Sequence, residues 1–212
     1  MGLEIAVGSL AYLRVHDPEG ADFLRKQFAA INELLKKHGL PEHREPEKLS
    51  GVHTRCETGS FPYSYLHYLR RVYAHVLDDA SWEAEPLSEG ENPADDEVLI
   101  DKTNDMESHL LCHSDAEGFY VPLDFDEVLF DDGDTIAGAM VGSSYRLWEE
   151  LYDLAPALGI ELTKGILSDE AAAAINEQMD SQEGLWIERM VWLSLFDASR
   201  ISIERGTAIC FC

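Results

Sequence analysis

Between Asp17 and Gly39 the chain carries both ends of one amphipathic helix, and the rest of the fold has to be built around it. Asp17 is an N-cap residue, Pro18 suits the first helical position, and Glu19 puts a carboxylate at the positive end of the helix dipole. Phe23, Leu24, Phe28, Ile31, Leu34 and Leu35 recur at helical spacing and predict one apolar face. Lys36, Lys37 and His38 suit the negative end, and Gly39 the left-handed residue that stops the helix.

Other elements follow from the same punctuation. Leu3 to Val7 is short and apolar enough for a strand, and residues 40–60 read as a loop around Pro41, Pro46 and Gly51. A helix is expected after Pro62, with Leu66, Leu69, Tyr73, Val76 and Leu77 as its stripe. Residues 78–107 are crowded with Asp and Glu and interrupted by Pro86, Gly90 and Pro93, which predicts an acidic surface excursion. Over 109–125, two β-prone runs flank Asp115-Ala116-Glu117-Gly118, and Phe119, Val121 and Leu123 alternate with Tyr120, Pro122 and Asp124. That pattern predicts a β-hairpin. Ser143 and Ser168 are N-caps for two further helices, a long helix should run from about Leu185 to Arg205, and Thr207 to Phe211 is strand-like. Trp148, Trp186 and Trp192 fall at helical spacings and read as core. The expected architecture is α+β: one mainly helical domain over 1–212, with a small antiparallel sheet that includes the 109–125 hairpin.

Charge bounds the function. Forty-one Asp and Glu against 16 Lys and Arg give −25 at neutral pH. Such a surface repels phosphates and anionic membranes and attracts cations. The expected partner is therefore a basic protein, with no nucleic acid and no membrane. No apolar run approaches a bilayer span, the N-terminus lacks a basic region, and neither a myristoylation nor a prenylation signal is present. Cys56, Cys112, Cys210 and Cys212 are too few for a disulfide scaffold and read as reduced thiols, so a cytoplasmic location is expected.

Three constellations could carry chemistry. His53-Thr54-Arg55-Cys56 and His109-Leu110-Leu111-Cys112 repeat His-x-x-Cys, a donor set that zinc accepts. On a strand, however, His109 and His113 would lie about 13 Å apart and His109 and Cys112 would face opposite ways, so no metal is expected at His53, Cys56, His109 and Cys112. On the second helix His67, Arg71 and His75 recur every four residues beside Arg70. They could hold an anion or act as acid and base, or simply neutralise nearby carboxylates such as Asp78 or Asp79. Asp124, Asp126, Glu127, Asp131, Asp132 and Asp134 could attract calcium but match no EF-hand loop, so a solvated acidic face is the plainer reading. Walker A, Gly-x-Gly-x-x-Gly, His-Glu-x-x-His and Gly-x-Ser-x-Gly motifs are absent, and no cofactor is expected.

The segment His109 to Phe125, with its His-x-x-x-His-Ser-Asp-x-x-Gly-Phe-Tyr-Val-Pro pattern, together with Gly142-Ser143-Ser144 and Leu154-Ala155-Pro156, resembles a group of uncharacterised bacterial proteins. The resemblance implies a bacterial origin and carries no functional residues. Two functions then compete. One is a protein-binding or immunity-type inhibitory module that meets a basic partner through Asp95, Asp96, Glu97, Asp131, Asp132 and Asp134. The other is a small enzyme or metalloprotein built on His109, His113 and Asp115, with His53, His67 or Arg71.

Overall fold

The computed structural model describes residues 2–212. Five short strands form one sheet in the order β1-β5-β2-β4-β3: β1 Ile5–Val7, β2 Gly118–Val121, β3 Leu129–Phe130, β4 Met140–Ser143 and β5 Ile209–Phe211. Eight α-helices surround it: α1 Ser9–His16, α2 Pro18–Lys37, α3 Tyr65–Asp78, α4 Glu97–Asn104, α5 His109–Cys112, α6 Ser144–Leu154, α7 Asp169–Ser181 and α8 Trp186–Arg205. The domain is α+β, as the punctuation of the sequence implied.

Period two along the central strand explains the layering. Phe119 and Val121 of β2 join Val141 and Cys210 beneath Leu24, Phe28 and Ile31 of α2. Tyr120, between them, points to the other face with Ile209 and Phe211. There it meets α3, α6 and α8 through Leu66, Leu69, Leu147, Leu151, Trp192 and Phe196. Trp192 is fully buried and donates its indole N–H to the Leu151 carbonyl at 2.7 Å. Trp148 and Trp186 are only half-buried.

Two local expectations are corrected. The sheet is mixed, because β2 pairs with β4 in parallel and with β5 antiparallel. The 109–125 hairpin does not form: only Gly118–Val121 is strand, and residues 109–112 make one helical turn. That turn is capped from both near and far. Ser108 Oγ accepts the Leu111 N–H at 3.0 Å, while the Glu150 carboxylate of α6 accepts the N–H groups of His109 and Leu110 at 2.8 and 2.6 Å. Part of the 78–107 segment is also regular, since Asp96 caps α4 through the N–H groups of Val98 and Leu99. No helix among the described residues is long and apolar enough to cross a membrane.

Candidate functional site

Eight acidic and eight basic side chains lie in residues 1–55, so the entire net charge of −25 falls on residues 56–212. Within that stretch, residues 78–134 hold twenty carboxylates and one cation, Lys102. Lys102 is itself tied to Asp78 at 3.3 Å.

The basic stripe of α3 is fully engaged by this acidic segment. Arg70 is buried and donates to Leu110 O at 2.8 Å, to His113 O at 2.6 Å and to the Asp115 carboxylate. His67 meets the other Asp115 oxygen at 3.1 Å. Partial burial works against the Asp115 charge, but His67 and Arg70 outweigh it and hold the carboxyl down to about 2. One turn further on, Asp96 bridges Arg71 at 3.4 Å and His75 at 2.9 Å. Trp82 stacks on His75 with centroids 4.5 Å apart and lies 5.4 Å from the Arg71 guanidinium carbon. The α3 cations thus fasten residues 82–115 to the helical layer. Their partners are Asp115 and Asp96 rather than Asp78 or Asp79.

The predicted histidines do not form one cluster. His67, His113 and Asp115 line a cleft of about 360 Å³ between α3 and α4. His109 is buried elsewhere, with both ring nitrogens used: Nδ1 accepts the Ser143 N–H at 3.0 Å and Nε2 donates to Asp126 O at 3.1 Å. His113 stacks on Tyr120 at 4.2 Å, and burial pushes its imidazole down to about 3. Gly118 permits that packing, because a Cβ there would lie 2.7 Å from His113 Cε1 and the backbone φ is +135°. His53 is exposed, whereas Cys56 and Cys112 are buried. Among the described residues no three His, Cys, Asp or Glu side chains are grouped to hold a metal ion.

The acidic segments, in contrast, do converge. Glu107, at the end of the α4 excursion, joins Asp126, Glu127 and Asp132 around a surface hollow of about 720 Å³, with Met106, Val128 and Phe130 also lining it. Arg146 holds the near side of this arrangement by pairing with Asp124, Asp126 and Glu149 at 2.9, 2.7 and 2.6 Å. Of the six carboxylates predicted to meet a partner, Asp95, Glu97, Asp132 and Asp134 are exposed. The other two serve the fold. Asp96 caps α4, and Asp131 accepts the N–H groups of Gly133, Thr135 and Ile136, bonds that lower its carboxyl. A further acidic surface escaped the sequence reading: Asp169, Glu170, Glu177 and Asp180 are exposed on α7, which contains no Lys or Arg. Counting charge helix by helix would have found it.

A family model described as "Putative DNA-mimic protein" matches residues 1–211. The chain belongs to this family. No curated protein and no solved structure matches it. Membership in the DNA-mimic family spans nearly the whole chain, where the resemblance rested on separate segments. It overturns the immunity-type expectation, because the family is one of DNA mimics rather than of immunity proteins. The expectation that excludes nucleic acid is likewise not supported, because the family is described as one of DNA mimics.

Proposed function

We propose that the protein binds a DNA-binding protein by presenting carboxylates where that partner expects phosphates. The observation that carries this reading is the convergence of Glu107, Asp126, Glu127 and Asp132 on one hollow, in a segment whose single cation, Lys102, is paired with Asp78. The scale of the charge supports it. Duplex DNA carries one charge per about 1.7 Å, so 25 charges occupy about 42 Å of duplex. A compact chain of 212 residues has a radius of gyration near 17 Å and is about 43 Å across. Charge and length therefore match those of a short duplex, with the balanced 1–55 segment leaving the acid to the remainder. Met106, Val128 and Phe130 suit the alkyl stems of Arg and Lys, whose heads would meet the carboxylates.

The test uses the DNA-cellulose-binding fraction of the native cell extract, passed over the immobilised protein at low salt. Retained proteins should be released by a short DNA duplex, and the quadruple variant Glu107→Gln, Asp126→Asn, Glu127→Gln, Asp132→Asn should retain far less. Retention of nothing, or retention that duplex DNA does not displace, refutes the reading.

A further inference from the structure

One helix, α6, grips both segments that bring carboxylates to the hollow. Arg146 and Glu150 stand four residues apart on it and share a stripe. Arg146 holds the 124–126 side through its ion pairs with Asp124 and Asp126. Glu150 holds the 107–110 side by hydrogen bonds to uncharged donors. Its Oε1 accepts the His109 N–H at 2.8 Å, and its Oε2 accepts the Leu110 N–H at 2.6 Å and the Ser108 hydroxyl at 3.1 Å.

The chain passes from exposed Glu107 to buried Ser108 in a single step. The anchor of residues 108–110 therefore fixes where Glu107 emerges. The same residues reach the other side of the hollow, because His109 Nε2 donates to Asp126 O at 3.1 Å. Glu107 and Asp126 are two of the four carboxylates that converge there. One lies a peptide bond away from what Glu150 holds, and the other a hydrogen bond away.

We propose that Glu150 is a positioning residue through which pH regulates the acidic hollow: ionised, it aligns Glu107 with Asp126 for a basic partner, and protonated, it lets them part. What the hollow binds rests on the DNA-mimic reading; the switch itself does not. Burial raises the Glu150 carboxyl to about 7 against the lowering effect of its three donors, and Asp153 on the same helix adds to the rise. The groups that face it from other elements are the hydroxyls of Tyr73 on α3 and Tyr120 on β2, with Cys112 and His109 on α5. Burial disfavours the charged form of all four. Arg70 of α3 also acts on Tyr120 and Cys112, but it is bound to Asp115. A neutral carboxyl accepts hydrogen bonds about half as strongly as an ionised one, so the grip on 108–110 slackens as pH falls through about 7. The raised value also means that the folded chain takes up this proton more readily than the unfolded chain. Protonation thus favours the fold as a whole, and the slackening stays local.

Nuclear magnetic resonance of the full chain tests the switch without a partner. Between about pH 5 and pH 8 the amides of residues 107–110 and 126 should move with a common midpoint near 7. Hydrogen exchange at His109 and Leu110, corrected for the intrinsic rate, should quicken roughly fivefold on the acid side. Glu150→Gln should abolish the midpoint, and His38→Gln, which removes the imidazole lining the hollow, should leave it. The partner arm uses the DNA-cellulose-binding fraction as its probe. Wild type should retain roughly fivefold less at about pH 6 than at about pH 8, and Glu150→Gln should retain equally little at both. In a chain already carrying Glu107→Gln and Asp126→Asn, Glu150→Gln should add nothing, since it acts through those two carboxylates. Absence of the midpoint, or its survival in Glu150→Gln, overturns the proposal, and the wild-type titration decides even where that variant fails to fold. With the midpoint present, retention that ignores pH, or falls as steeply in Glu150→Gln as in wild type, overturns the regulation alone. Retention of nothing at either pH refutes the DNA-mimic reading and the regulation with it.

Discussion

Asp96 carries two separable duties, and two substitutions can part them. Its carboxylate caps α4 through Val98 and Leu99, both at 3.0 Å, and pairs with Arg71 and His75. Asn caps a helix about as well as Asp, so Asp96→Asn keeps the first duty and loses the second. An ion pair that is 19% exposed on the carboxylate side should be worth about 0.5–1 kcal/mol. Asp96→Ala also loses the cap, adding about 1 kcal/mol for a total near 2 kcal/mol. For a domain of this size each kcal/mol moves Tm by about 2–4 °C, which predicts a fall of about 1–4 °C for Asn and about 4–8 °C for Ala. Acid should expose the same difference. Burial raises the Asp96 carboxyl, but the His75 and Leu99 hydrogen bonds win and leave it below its usual value. Its contribution is therefore full above the ordinary carboxylate pKa and is lost as pH falls through the depressed one. Thermal melts followed by circular dichroism from neutral pH to about pH 3 should show the Asn variant converging on wild type in acid, while the Ala variant stays lower. Equal losses for Asn and Ala, or no convergence, would refute this division.

Three more outcomes follow from the same contacts. Arg70→Met leaves Asp115 and the carbonyls of Leu110 and His113 without their buried cation, and should cost about 3–5 kcal/mol in denaturant unfolding. Asp115→Asn should remove part of the acid limb of stability, which Asp115 contributes above about pH 4 and loses towards about pH 2. Gly142→Ala would place its Cβ 2.3 Å from Tyr120 Cδ1 and should lower stability by about 1–3 kcal/mol, measurable by the same melts.

Helix ends were largely legible because their signals are local. Asp17 does cap α2 by accepting the Gly20 N–H, Gly39 takes the left-handed conformation, and Ser143 and Ser168 cap α6 and α7 as their positions suggest. What failed depended on distant partners. His109-Leu110-Leu111-Cys112 has strand-like side chains, but Glu150, forty residues on, supplies the acceptors that fix a helical turn. Helix α1 was missed because glycine occupies its N-cap and Tyr12 and Val15, two of its five apolar side chains, stand in solvent. Phe23 and Leu77, placed on buried stripes by their spacing, are 52% and 49% exposed. Spacing cannot show where a neighbouring element ends. The candidate surface was half legible: Asp95, Glu97, Asp132 and Asp134 are indeed exposed, whereas the meeting of Glu107 with the 126–132 loop required the fold.

The engagement of the arginines also shapes how such a chain can change. Arg55 and Arg200 both bind the fully buried Asp197, Arg70 holds the end of α5, and Arg146 gathers three carboxylates. Losing one of these cations disturbs the scaffold, while an exposed Asp or Glu exchanged for another polar residue alters only what the surface attracts. Variation is thus channelled. The anionic exterior can drift, while Arg55, Arg70, Arg146 and Arg200 are held in place by the architecture itself.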